Sequence, residues 1–455
     1  MAALEFSAAE KEAAVSLLQS LIRLDTTNPP GNEREAVELV EKECQSLGLE
    51  TTLIGTSPER PNLVARWSAG ENRKFDRPLI LSCHLDVVPA NPEQWTHPPF
   101  SGFNDGTYIW GRGAIDMKGF AAMGLAALTW LRKENVAINR DVIFVAVADE
   151  EAGTKHGSKW LVEHHPELLG NDPEYVINEV GGFTVHQKGR RFYPVQVAEK
   201  GVAWIRLTVE GASGHSSLPT DDNAVVHLAK AVEAIGKTQL PWHPSEEAKR
   251  FIAGFAEPEG AVARALSPLL SHPKIGPIIL PLAVANPSRR KSLEAILRNT
   301  ANPTALKTTN PINVIPSKAS VDIDGRLAPG ETAEDLISEL RCITDRLPGV
   351  RAHYEILEES AATSFSHATP LFEEMERALL EADPGAHVVP SIIQGFTDSR
   401  NYAALGATCY GFYPLQMPGE IDFASLFHGV DERIPIDGFH WGVKTLTTVL
   451  KRFLT

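Results

Sequence analysis

Three short apolar runs constrain this chain more than anything else in it. LILSCHLDVV at 79–88, DVIFVAVADEE at 141–151 and EYVINEVGG at 174–182 are nearly continuous in apolar residues, and each ends abruptly in His, Asp or Glu. A strand with one wet face alternates apolar and polar residues, whereas an unbroken run reads as a parallel strand covered on both faces. A helical stretch at 117–133 separates the first two runs, giving the strand–helix order of an open α/β sheet. Ligands of such sheets bind beyond the carboxyl ends of the strands. His84 with Asp86, Asp149 with Glu150 and Glu151, and Glu179 are therefore expected along one edge.

Around this centre the pattern divides the chain. Residues 7–24 read as an amphipathic helix, and TTNPPGNE at 26–33 reads as a turn whose Asn32 caps a second helix over 33–47. From about residue 200 the order becomes strand 204–211, helix 222–236, strands 304–310 and 317–327, helix 331–347 and strand 350–357. That β-α-β-β-α-β order is ferredoxin-like. A Pro-rich insertion with helical apolar spacing occupies about 240–300. After 360 the chain resembles the first part again and closes with a helix at 437–453 capped by Asp437. The expected architecture is an open, mostly parallel α/β domain, residues 1–199 and 360–455, with a ferredoxin-like α+β domain, residues 200–359, inserted into it.

The 455 residues suffice for two or three cores. With 43% hydrophobic and 22% charged residues and no tract of biased composition, long disorder is excluded. A formal charge of −15 argues against a nucleic-acid partner, which needs clustered Lys and Arg. The N-terminal stretch lacks the basic start and apolar block of a signal peptide, and no apolar run reaches the ~18 residues of a membrane span. Cys44, Cys83, Cys342 and Cys409 show no CxxC spacing and read as reduced thiols. A cytoplasmic protein with no membrane partner is the expectation.

The strand-end residues carry the chemistry. To them the segment WGRGAIDMKG adds Asp116, where a glycine-bearing turn opens a helix. Four or more carboxylates at one crevice repel one another unless cations neutralise them. Imidazole and carboxylate without thiolate suits zinc, with cobalt or manganese as substitutes. Two ions sharing one carboxylate, each with one further acid and one His, require three acids and two histidines. The sequence supplies Asp116, Glu151, Glu179, His84 and a later His. Asp86, two residues after His84, is placed to orient its imidazole. Taken singly, each residue has a plainer reading: a rim histidine, a helix cap, a solvated acidic loop.

HLDVVP, GRGAIDMKGF, ADEEAGT and NEVGG, in this order and at these intervals, resemble the aminoacylase/carboxypeptidase family of co-catalytic zinc amidohydrolases, over nearly the whole chain. The resemblance implies that His84 binds one zinc, Asp116 bridges both, Glu150 is the general base, and Glu151 and Glu179 are ligands. It also singles out His428, in LFHGVDERIP, as the last ligand among fifteen histidines. GASGHSS resembles the segment of a histidine that stabilises the developing oxyanion, here His215, which from its own surroundings is equally a turn residue. NVIPSKASVDIDGRLAPG resembles the family's Asn and Arg that hold the substrate carboxylate, here Asn313 and Arg326, and the planar guanidinium fork suits that task. GFTDSRNY resembles a branch with long-chain acyl-amino-acid hydrolases and adds Arg400. The implied cofactor is two Zn2+ per subunit.

The implied reaction is hydrolysis of the amide bond of an N-acyl amino acid or short peptide with a free carboxylate. A strict carboxypeptidase or dipeptidase is the nearest alternative, and a catalytically silent metal-binding relative would have lost Glu150. A two-metal phosphoesterase would carry more basic residues near the motifs. Relatives of this kind dimerise through the small domain or mimic the partner with a lid segment, so a homodimer is the expectation here.

Overall fold

The computed structural model describes residues 4–308, 311–421 and 425–455. The chain forms two compact units. The first comprises Met1–Val197, Phe365–Pro390 and Thr397–Thr455, and the second Ala198–Ser364 with Ser391–Phe396.

In the first unit the sheet runs in the order Glu50–Gly55, Pro61–Trp67, Val142–Val147, Leu79–His84, Tyr175–Asn178, Thr408–Gly411 and Arg190–Glu199. The four strands from Val142–Val147 to Thr408–Gly411 are parallel to one another, and the flanking pairs are antiparallel. Every residue of Leu79–His84, Val142–Val147 and Tyr175–Asn178 is buried, which is why these segments read as unbroken apolar runs. Helices Ala8–Arg23, Lys118–Lys133 and Ile436–Leu454 pack their apolar sides into one large core. Leu161 and Tyr402, from helices Ser158–His164 and Ser399–Ala403, belong to a second core with Ile80, Ile143 and Val176. From Leu79–His84 the chain crosses to one neighbour, Val142–Val147, and then to the other, Tyr175–Asn178. The order reverses at Leu79–His84, and such a reversal opens a crevice.

Two helix starts differ from the sequence expectation. Helix Arg34–Ser46 is preceded by Glu33 and has no side-chain cap, and Asn32 is exposed. The Glu33 amide donates to the Glu59 carbonyl (3.1 Å) and its carboxylate is paired with Arg60 (2.7 Å), so tertiary partners hold the start of this helix. The last helix starts at Ile436, whose amide donates to the Thr107 carbonyl (2.9 Å). This leaves Asp437 inside the first turn and Pro435 in the capping position. Ser7, by contrast, closes a reciprocal capping box with Glu10.

In the second unit the strands lie in the order Thr300–Lys307, Lys318–Leu327, Gly201–Glu210 and Ala352–Ser360, all antiparallel. Helices Ala224–Lys237 and Ala333–Thr344 pack on the face formed by Ile205, Leu207, Val321 and Ile323. This is the ferredoxin-like order. The strand expected at 304–310 starts earlier, at Thr300, and its last two residues lie outside the described ones. The insertion folds as short helices Glu246–Ala256, Ala261–Leu270, Gly276–Ala283 and Pro287–Ile296 over a small core that contains Trp242, Ile252, Leu280 and Leu297.

Candidate metal centre

His84 ends its strand fully buried. Its Nδ1 lies 3.0 Å from the main-chain oxygen of Asp86. A carbonyl only accepts, so Nδ1 carries the proton and the Nε2 lone pair faces the acids. Nε2 is 3.0 Å from Asp116 Oδ1 and 3.7 Å from Glu179 Oε2. The other Asp116 oxygen, Oδ2, lies 3.2 Å from His428 Nε2, and Glu151 Oε2 approaches the same nitrogen at 3.1 Å. Asp116 thus divides its carboxylate between two imidazoles, and each imidazole has one further acid beside it. His84, Glu150 and Glu179 also group, with one ligand atom of each within 4.8 Å of the others.

Local backbone brings these side chains forward. Asp149 adopts a left-handed conformation (φ 65°), and Glu150 and Glu151 lie in the turn that follows. A turn, rather than alternation along an extended strand, separates the two glutamates. The Asp86 carboxylate builds that turn: Oδ1 accepts the Glu150 amide and Oδ2 the Glu151 amide, both at 3.1 Å. Its Oδ1 is 3.6 Å from His84 Nδ1, so the main chain of residue 86 orients the imidazole more closely than its carboxylate does. Beyond Glu179 the chain turns through Val180 (φ 62°) beside the strand ending at Gly411. A Cβ on Gly411 would lie 2.3 Å from the Glu179 carbonyl, so only glycine admits this approach.

Three supporting residues escaped the sequence reading. Asn28 Nδ2 donates to Asp86 (2.8 Å) and Asp149 (3.1 Å), which makes the TTNPPG turn part of the centre. Arg60 is 3.2 Å from Asp149 and continues the network to Glu33. Glu432 is fully buried and accepts the amides of Gly113 (3.0 Å), Ile115 (2.7 Å) and Asp116 (3.1 Å) together with Arg112 Nη1 (2.7 Å). It holds the loop that presents Asp116. Its only sequence signal is its position four residues after His428.

The acids are too many for their partners. Burial, then the nearby Glu179 charge, pushes the Glu150 carboxyl well above the ordinary range. Burial likewise raises Glu179 to about 8 and, with the Asp116 charge, Glu151 to about 6. His428 is raised to about 10 by its hydrogen bonds to Asp116 and Glu151. Burial would raise Asp116 too, but the two imidazoles outweigh it and hold this carboxyl below the usual range. Glu151 Oε1 is buried without a hydrogen-bond partner among the described residues. Buried carboxylates with an orphan oxygen and two imidazoles beside them fit divalent metal ions.

The remaining candidates divide between the units. Arg400 lies in the helix Ser399–Ala403 of the first. In the second, His215 pairs with Val314 across the two-stranded ribbon Gly214–His215/Val314–Ile315, and the Ser216 amide donates to the Asn313 carbonyl (3.2 Å). His215 Nδ1 is engaged by Ser217 Oγ at 2.8 Å. Arg326 is held by both oxygens of Asp324 (2.9 and 3.2 Å) over the Phe396 ring (4.9 Å), and its buried Nη1 has no hydrogen-bond partner among the described residues.

Two imidazoles and four acids thus gather where the parallel strands end, an arrangement that suits metal-assisted hydrolysis. The chain belongs to peptidase family M20/M25/M40, whose match spans residues 80–452. It is 29% identical to a carboxypeptidase S-like protein of Dictyostelium discoideum over 83% of this chain and 73% of that one. It is 27% identical to the N-fatty-acyl-amino acid synthase/hydrolase PM20D1 of Mus musculus, covering 97% and 88% of the two chains. Among solved structures, the M20 family metallo-carboxypeptidase Sso-CP2 of Sulfolobus solfataricus superposes with a TM-score of 0.70 at 18% identity, covering 96% of this chain and 98% of that one.

Proposed function

We propose that the protein hydrolyses the amide bond of N-acyl amino acids or short peptides bearing a free carboxylate. Two divalent ions, zinc by ligand type, would be held by His84 and Glu179 on one side, His428 and Glu151 on the other, and Asp116 between them. The observation that carries this reading is the division of Asp116, Oδ1 at 3.0 Å from one imidazole and Oδ2 at 3.2 Å from the other. Bound there, the ions supply an activated water and polarise the substrate carbonyl.

Glu150 does the proton work. Its carboxylate groups with His84 and Glu179, which places it to take a proton from the attacking water and return it to the leaving nitrogen. Asp86 fixes the Glu150 amide and so aims the base. Arg326, with a guanidinium nitrogen left over after its pairing with Asp324, is suited to a substrate carboxylate, with Asn313 and Arg400 as further contacts and His215 as the donor to the developing oxyanion. Relatives named for acyl-amino-acid chemistry and for carboxypeptidase chemistry both fit this substrate class.

The test is Glu150→Ala. Metal content should stay at the wild-type level while turnover falls at least ~100-fold. Normal turnover with full metal content would refute the role. A panel of acetyl, long-chain acyl and dipeptide substrates on the zinc-loaded enzyme then assigns the acyl side.

A further inference from the structure

We propose that the helical insertion of the second unit is a peripheral docking surface for anionic lipid bilayers. From Gly260 to Leu293 the chain carries Arg264, Lys274, Arg289, Arg290 and Lys291 and no Asp or Glu, in a protein of formal charge −15. The same stretch exposes large aliphatic side chains. Helix Ala261–Leu270 presents Val262, Leu266 and Leu269, spaced four and three residues apart and hence on one stripe. Helix Gly276–Ala283 presents Ile278, 70% exposed, and Leu282, 83% exposed.

The exposed faces are not merely loose. Leu280 is buried in the core with Trp242 and Ile252, and a Cβ on Gly276 would lie 2.1 Å from the Trp242 ring. Between the helices, His272 Nδ1 accepts the amides of Lys274 (3.2 Å) and Ile275 (3.3 Å), which braces the turn. One side of the second helix is therefore anchored while Ile278 and Leu282 are offered to solvent.

Apolar stripes flanked by Lys and Arg on short helices are the chemistry of segments that lie in a bilayer interface, with the aliphatics among the acyl chains and the cations against anionic headgroups. A second copy of this chain is a poorer occupant, because a two-fold pairing of the insertion sets a stretch with five cations and no acid against the same stretch of its partner. Among the described residues no helix is long and apolar enough to cross a membrane, so the contact is one of surface adsorption.

The test is co-flotation of the full chain with vesicles of phosphatidylcholine alone or with about 30% phosphatidylserine. Binding should be at least tenfold stronger to the anionic vesicles at about 0.1 M salt and weaken at about 0.5 M. Leu266→Asp with Leu282→Asp should lose at least tenfold, and Arg290→Glu and Lys291→Glu about fivefold or more each. Melting temperature and turnover of a water-soluble substrate should be unchanged in these variants, so loss of binding is not loss of fold. Equal partition into both vesicles, or none, would overturn the proposal. So would a wild-type dimer that the Leu266/Leu282 variant converts to monomer. Binding is read without turnover, so it stands or falls apart from the substrate assignment.

Discussion

The two units each assemble imidazole and carboxylates, with opposite consequences. In the second unit His243 lies between Glu339 (Nε2 to Oε1, 2.5 Å) and Glu331 (Nδ1 to Oε1, 3.2 Å), and the Asn299 amide reaches both acids at 3.3 and 3.5 Å. Each acid has an imidazole nitrogen and an amide, and the three side chains retain 12–27% exposure. In the first unit four acids share two imidazoles, His84 is fully buried, and Glu151 keeps an oxygen with no partner among the described residues. The ligand types are alike. Uncompensated buried charge distinguishes a centre that calls for cations from a hydrogen-bonded cluster that ties an insertion to its domain.

The contrast can be broken most forcefully by chelation. Removing divalent metal should abolish hydrolysis, zinc or cobalt should restore it, and activity indifferent to chelators would sink the two-metal reading. Next in size is Glu432→Gln, which leaves Arg112 buried against a neutral partner and loosens three amides of the Asp116 loop. A loss of about 3 kcal/mol in unfolding free energy is expected from denaturant titration. Unchanged stability would show that the loop holds itself. Asp86→Asn replaces an acceptor of three N–H groups with a side chain that has only one acceptor oxygen, so metal affinity measured by competition should fall ~10–100-fold. The smallest effect belongs to the other cluster. His243→Asn should cost about 1 kcal/mol or less and leave metal content and turnover at wild-type values. Loss of metal on that substitution would erase the distinction between the clusters.

Much of this was legible in the chain because it is local. Periodicity reports whether a segment is covered on one face or two, so Leu79–His84 and Val142–Val147 identify themselves, and so does the alternation of Lys318–Leu327. Charge is local as well: acids at three strand ends announce a crowded crevice before any fold is known. Helix starts were less legible where partners came from elsewhere, as with Glu33 and Arg60.

What the tertiary structure alone decided is which distant segments meet. Glu432 grips an amide 316 residues earlier, and the Asn28 side chain reaches an acid 121 residues later. The approach of His428 to Asp116 and Glu151 is of the same kind, and in the sequence it rested on resemblance alone. The turn at Asp149 that parts Glu150 from Glu151 is held by Asp86, just past the end of the neighbouring strand. A residue's pattern records the environment its own segment requires. Which partner supplies that environment is set by packing, and packing is a property of the whole folded chain.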